Sequence, residues 1–182
     1  MDLPEVNSNK SSGLFEGAKS GVIVGVVAYD KAGNEIAEPN PMSDDNYIEI
    51  ELQIPNSEYT NKGRLYGGEW KAKKWTKLFQ AAGLPTKNVN YKQLVGKQVG
   101  FIMFKTQPNG NGKSYTNIWD NFVAPANLLD LDQQFQWTVD NTKMRDKIHP
   151  DSKYLKAGIP QAAVQEAAQQ VVQPAIDNNP PF

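Results

Sequence analysis

Cysteine is absent from all 182 residues, and histidine occurs once. The first absence rules out disulfides, thiolate zinc sites and cysteine nucleophiles together, and it fits a reducing, intracellular setting. His149 stands between Ile148 and Pro150 with no second histidine or cysteine to complete a metal site or a catalytic dyad, so it reads as a surface residue. No run of about eighteen apolar residues occurs, which leaves no candidate for a membrane-spanning helix. The opening MDLPEVNSNK lacks the basic start and apolar block of a signal peptide. Acid is scarce in one stretch only. From Lys62 to Lys113 there are eleven basic residues and one acid, Glu69, a net of +10 that leaves −11 for the rest of a chain totalling −1. Segregation on this scale, interleaved with aromatic residues, points to a polyanionic partner, of which nucleic acid is the commonest.

The remaining composition suits a soluble domain, with 39% hydrophobic and 21% charged residues. Residues 1–20, rich in Ser, Asn, Gly and Lys, read as a flexible leader. GVIVGVVAY (21–29) is β-branched and reads as a buried strand. In YIEIELQI (47–54), Ile48, Ile50, Leu52 and Ile54 share one face and Tyr47, Glu49, Glu51 and Gln53 the other, which is the period of a strand. A short strand follows near GRLYGG. EWKAKKWTKLFQAAG then changes period: Ala72, Trp75, Leu78, Phe79 and Ala82 fall on one helical face, Lys73, Lys74 and Lys77 lie opposite, and Gly83 stops the helix. YKQLVGKQVGFIMFK leads into another strand, TQPNGNGKS makes a hairpin tip, and SYTNIWDNFVAP returns. The predicted fold is therefore mainly β, a five-stranded barrel with its helix between strands three and four, which is the OB plan. It spans 21–140. NLLDLDQQFQWTVD is ambiguous between a short helix and an extended segment. Residues 141–182 read as a flexible tail with a short nascent helix and a partner-binding tip.

Several constellations could carry chemistry. NGNGKS resembles the end of a phosphate-cradling loop, but Gln107 stands where that motif needs glycine, and a hairpin offers no helix N-terminus. Asp44 or Asp45 with Glu69 and Lys71 matches the acid and lysine set of metal-dependent nucleases or resolvases, which is the alternative reading. No other catalytic set and no cofactor site emerges. The leading reading is the aromatic and basic one. A single nucleic-acid strand exposes both phosphates and base faces, so a protein that holds it needs cations along a groove and flat rings beside them. Tyr115 and Trp119 alternate with Ile118 and Phe122 on the last strand and are expected outward; Tyr66, Trp70, Phe101 and Phe104 are further platforms. Trp75, Phe79 and Phe122 are assigned to the core.

YIEIELQIPNSEYTNKGRLYGGEWKAKKWTKLFQAAGLPTKN, with YKQLVGKQVGFIMFK and GKSYTNIWDNFVAP, resembles a family of bacteriophage single-stranded-DNA-binding proteins with an OB-fold. The resemblance covers about residues 20–125. It implies protection of single-stranded DNA during phage replication or recombination, in the host cytoplasm, without catalysis. It also implies a DNA-binding role for Arg64, the helix lysines Lys71, Lys73, Lys74 and Lys77, Lys105, Lys113, Tyr115 and Trp119, to which the aromatic reading adds Tyr66, Trp70 and Phe101; self-association of the protein is open. The end of the chain is similar to the tip of bacterial single-stranded-DNA-binding proteins, through Pro180, Pro181 and the terminal Phe182. Such tips recruit replication and repair proteins. They are strongly acidic, whereas here Asp177 is followed by Asn178 and Asn179.

Overall fold

The computed structural model describes residues 16–88 and 90–155. The expected tip residues Asp177, Pro180, Pro181 and Phe182 lie outside them. Five strands, β1 (Gly17–Asp30), β2 (Asn46–Gln53), β3 (Thr60–Tyr66), β4 (Gln98–Lys105) and β5 (Thr116–Ile118), form one antiparallel sheet in the order β3-β2-β1-β4-β5. Helix α1 (Ala72–Ala81) sits between β3 and β4, as the period change in the sequence predicts, and α2 (Leu128–Asn141) follows β5. The sheet curls into a nearly closed barrel, consistent with an OB-like fold. Among the described residues, no helix is long and apolar enough to cross a membrane.

The curl has local causes. β1 pairs with β4 through Gly17–Val22 and with β2 through Val22–Asp30, so one long strand serves both halves of the sheet. A register shift between Ile23 and Gly25 bends it. Gly21 lies where the halves diverge, and a Cβ there would come within 2.8 Å of the Gln53 carbonyl oxygen. The outer strands meet side chain to side chain: a Cβ on Gly63 of β3 would lie 3.2 Å from the Ile118 Cβ of β5. β1 begins at Gly17, inside the stretch expected to be leader.

Burial in β2 alternates without a break, with Ile48, Ile50 and Leu52 inward as predicted. They join Ile23, Leu65, Trp75, Leu78, Phe79 and Phe122 in the barrel core, to which α1 contributes its buried stripe. The Trp75 indole N–H donates to the Tyr66 carbonyl at 2.9 Å, which fixes the helix to the end of β3.

β4 departs from simple alternation because both of its faces are covered. Val99, Phe101 and Met103 enter the barrel, while Ile102 and Phe104 pack against α2 in a second cluster with Leu131, Phe135, Val139, Ile148 and Tyr154. Leu131, Phe135 and Val139 recur every four residues, the spacing of a helix stripe. Two readings are thereby corrected. Phe101 is fully buried in the barrel and presents no platform to DNA. The chain after residue 140 does not become a tail at once: residues 142–155 pack back on the barrel. His149 N donates to the Lys105 carbonyl, the Tyr154 hydroxyl donates to Asp132 at 2.7 Å, and Ser152 bonds Glu16 across the ends of the folded region. Burial chiefly, then the neighbouring Asp132 carboxylate, pushes the Tyr154 phenol far above its usual range. His149 is half-buried, and its Nδ1 accepts from the Asp151 N–H at 2.9 Å.

Candidate nucleic-acid interface

A groove of about 720 Å³ runs along the line where β3 and β5 meet. Its walls bring together five of the predicted residues, Arg64 and Tyr66 from β3, Lys74 from α1, Phe104 from β4 and Trp119 beyond β5. They also include Lys62, Asn117 and, from the segment expected to be tail, Lys147. β3 contributes because Lys62, Arg64 and Tyr66 alternate with the buried Gly63 and Leu65, which turns their side chains outward. Trp119 lies outside the barrel core as its register predicts, but α2 covers part of it. Its ring stands edge-on to Phe135 at 5.0 Å and 65°, so it forms a wall rather than an open platform.

The acids of the groove are already paired. Glu49 of β2 accepts from Arg64 Nε at 2.9 Å and lies 3.3 Å from Lys62 Nζ. Burial works to raise the Glu49 pKa, but the hydrogen bonds and charges of Arg64 and Lys62 outweigh it and hold the carboxyl below its ordinary value. The bond to Glu49 is likewise the main reason that the Arg64 guanidinium is raised. Lys74 Nζ is 2.5 Å from Asp120 Oδ2, joining α1 to the wall beyond β5.

From the Tyr66 edge of the groove a row of three tyrosines crosses the sheet. Tyr29, Tyr47 and Tyr66 are register partners on β1, β2 and β3. Ring centroids are 5.3 Å apart for Tyr29 and Tyr47 and 5.2 Å for Tyr47 and Tyr66. Two cations lie over this row, the Arg64 guanidinium 5.3 Å from the Tyr47 centroid and the Lys71 ammonium 5.5 Å from that of Tyr66. Tyr29 and Tyr47 are absent from the sequence prediction, although the alternation of β2 already turns Tyr47 outward.

The other predicted residues are dispersed. Trp70 is 82% exposed and, with Lys71, lines a separate hollow beside Met42, Asp44 and Glu69. That hollow unites much of the alternative nuclease set, while Lys71 leans towards the Tyr66 ring. Among the described residues no three or more of His, Asp and Glu gather closely enough to hold a metal ion. Lys73 and Lys77 are exposed on α1, with Lys77 beside a different hollow next to Asn121 and Gln134. Lys105 is half-buried where the 142–155 segment crosses β4. Lys113 and Tyr115 are exposed on the β4–β5 hairpin and are not among the residues of the groove wall. Phe104, a further platform in the sequence reading, borders the groove but is only 6% exposed beneath α2. Compared with family models, with curated proteins and with solved structures, the chain matches none.

Proposed function

We propose that the protein binds and protects single-stranded DNA, with little sequence selectivity, during phage DNA replication or recombination. The observation that carries this reading is the junction of a cation-lined groove with a row of three tyrosines at Tyr66. The groove offers charge to phosphates, the row offers aromatic surface to bases, and Arg64 and Lys71 serve both. A duplex keeps its base faces stacked inside and cannot use the tyrosines. The activity is therefore binding rather than turnover, and the tip through Phe182 is proposed to recruit replication or repair proteins.

The test is a titration of oligo(dT) beside duplex of equal length, followed by anisotropy of the DNA and by quenching of the protein's tryptophans. Single strands should bind tighter, and neutralisation of about five phosphates would give a log K against log salt slope of about −3 to −4. Tyr47→Ala should weaken binding by about tenfold or more, the value of one base stack, without changing the salt slope. Preference for duplex would overturn the reading, and undiminished binding by Tyr47→Ala would remove the tyrosine row from it.

A further inference from the structure

We infer that Glu49 and Asp120 occupy two phosphate subsites of the groove, and that a bound strand enters by displacing these carboxylates from Lys62, Arg64 and Lys74. The inference rests on the reading of the groove as a single-strand site and specifies where two phosphates go.

The geometry separates anchored from movable charge. The Glu49 side chain is 13% exposed at the groove floor, whereas those of Lys62 and Arg64 are 61% and 53% exposed at its rim. The cations therefore lie open to an incoming anion, while the carboxylate sits below them, close to its strand. Among the described residues, Lys62 and Arg64 are the ionic partners of Glu49. β1 offers the apolar Val27 as its register partner, and β2 itself carries Tyr47 and Glu51 on the same face. Across the groove, Lys74 is held by Asp120, and Lys147 stands on the far wall. In the second pair both groups are partly exposed, at 30% and 40%. That pair spans two walls, so its opening exposes the groove between α1 and the chain beyond β5. The Lys74–Asp120 pair, partly exposed at both ends, adds little to the fold.

A carboxylate presents one negative charge on two acceptor oxygens, as the two non-bridging oxygens of a backbone phosphodiester do, but it is tethered to the protein. It keeps the cations positioned while the groove is empty. It also sets a threshold: each phosphate exchanges one ion pair for another instead of gaining a new one, which lowers affinity and makes release fast. Glu49 and Asp120 are thus determinants of how tightly the groove holds a strand.

The experiment compares wild type, Glu49→Gln, Asp120→Asn and the double variant, with oligo(dT) and with tripolyphosphate as probes. Each single variant should bind oligo(dT) at least about threefold tighter at low salt, with a salt slope close to that of wild type, because the same cations meet phosphate in both. Asp120→Asn should melt within about 2 °C of wild type, and Glu49→Gln should stay folded at the assay temperature with a modestly lower melting point. Weaker or unchanged binding of oligo(dT) by both single variants would overturn the inference while leaving the single-strand reading intact. It would mean that the carboxylates only orient the cations. If wild type fails to bind oligo(dT), the single-strand reading is lost and tripolyphosphate decides the present one. A gain of tripolyphosphate binding in the double variant supports it, and no gain overturns it.

Discussion

Replacing Phe135 with alanine tests whether the helix after the barrel is part of the folded unit. Phe135 is fully buried, with its centroid 4.6 Å from the Tyr154 ring, 5.0 Å from Trp119 and 5.4 Å from Phe104. Removal of a ring from such a site leaves a cavity and costs about 3–5 kcal/mol. Against the 5–15 kcal/mol typical of a whole domain, that is about a third of the stability. With a urea slope of about 2 kcal/mol/M, the unfolding midpoint should fall by about 2 M. The transition should stay single. β4 sends Phe101 and Met103 to one cluster and Ile102 and Phe104 to the other, so neither cluster can melt and leave that strand in place. Urea unfolding, followed by tryptophan fluorescence and far-UV circular dichroism together, measures both quantities. The near-ultraviolet signal should also weaken in native buffer, because Trp119 loses the ring that fixes it. A midpoint shift below about 0.3 M would correspond to a surface change, and the helix would then be an appendage.

Gly63→Val should destabilise the domain by about 1–3 kcal/mol, since even a Cβ at that position lies 3.2 Å from Ile118 Cβ and 3.3 Å from its Cγ2. A thermal melt equal to wild type would show that β3 and β5 do not meet as described. Glu49 supplies a pH dependence. Its folded-state pKa is lowered, so its contribution to stability is complete above its ordinary value of 4.5 and is lost as pH falls through the lowered one. The melting difference between wild type and Glu49→Gln should therefore shrink below pH 4.5; a difference that widened in acid would mean that Glu49 is not held as an anion. Removal of Asp177–Phe182 should change oligo(dT) affinity by less than about twofold, because a tip with one carboxylate side chain competes weakly for the groove. A large rise in affinity would show that the tip shields it.

The elements legible in the sequence were those whose burial follows one rule. β2 is buried on one face, so its isoleucines and leucine betray it, and α1 shows its stripe because its opposite side is wet. β4 hides its second role. A strand covered on both faces has no polar alternation, and Phe101 and Phe104 look alike until the positions of the barrel and α2 are known. The stripe Leu131, Phe135 and Val139 was present in the sequence, but the acids and glutamines around it blurred the choice between helix and extended chain. Residues 142–155 carry few apolar side chains, and Ile148 and Tyr154 find their cluster only through long-range packing. The tyrosine row was out of reach for a different reason. Tyr29, Tyr47 and Tyr66 belong to three strands, and only their pairing register places them side by side.

The contact between β3 and β5 has a mechanical meaning. Each of these strands is hydrogen-bonded to one neighbour in the sheet, β3 to β2 and β5 to β4. Among the described residues, no backbone ladder joins them. Parting them forfeits dispersion contacts of about 0.1–0.2 kcal/mol per atom pair, not ladder hydrogen bonds of about 1 kcal/mol each. The groove lies directly over this joint. On the proposed reading, the line along which a strand's phosphates would lie is thus also the most compliant line of the barrel, and it can widen while every ladder stays intact.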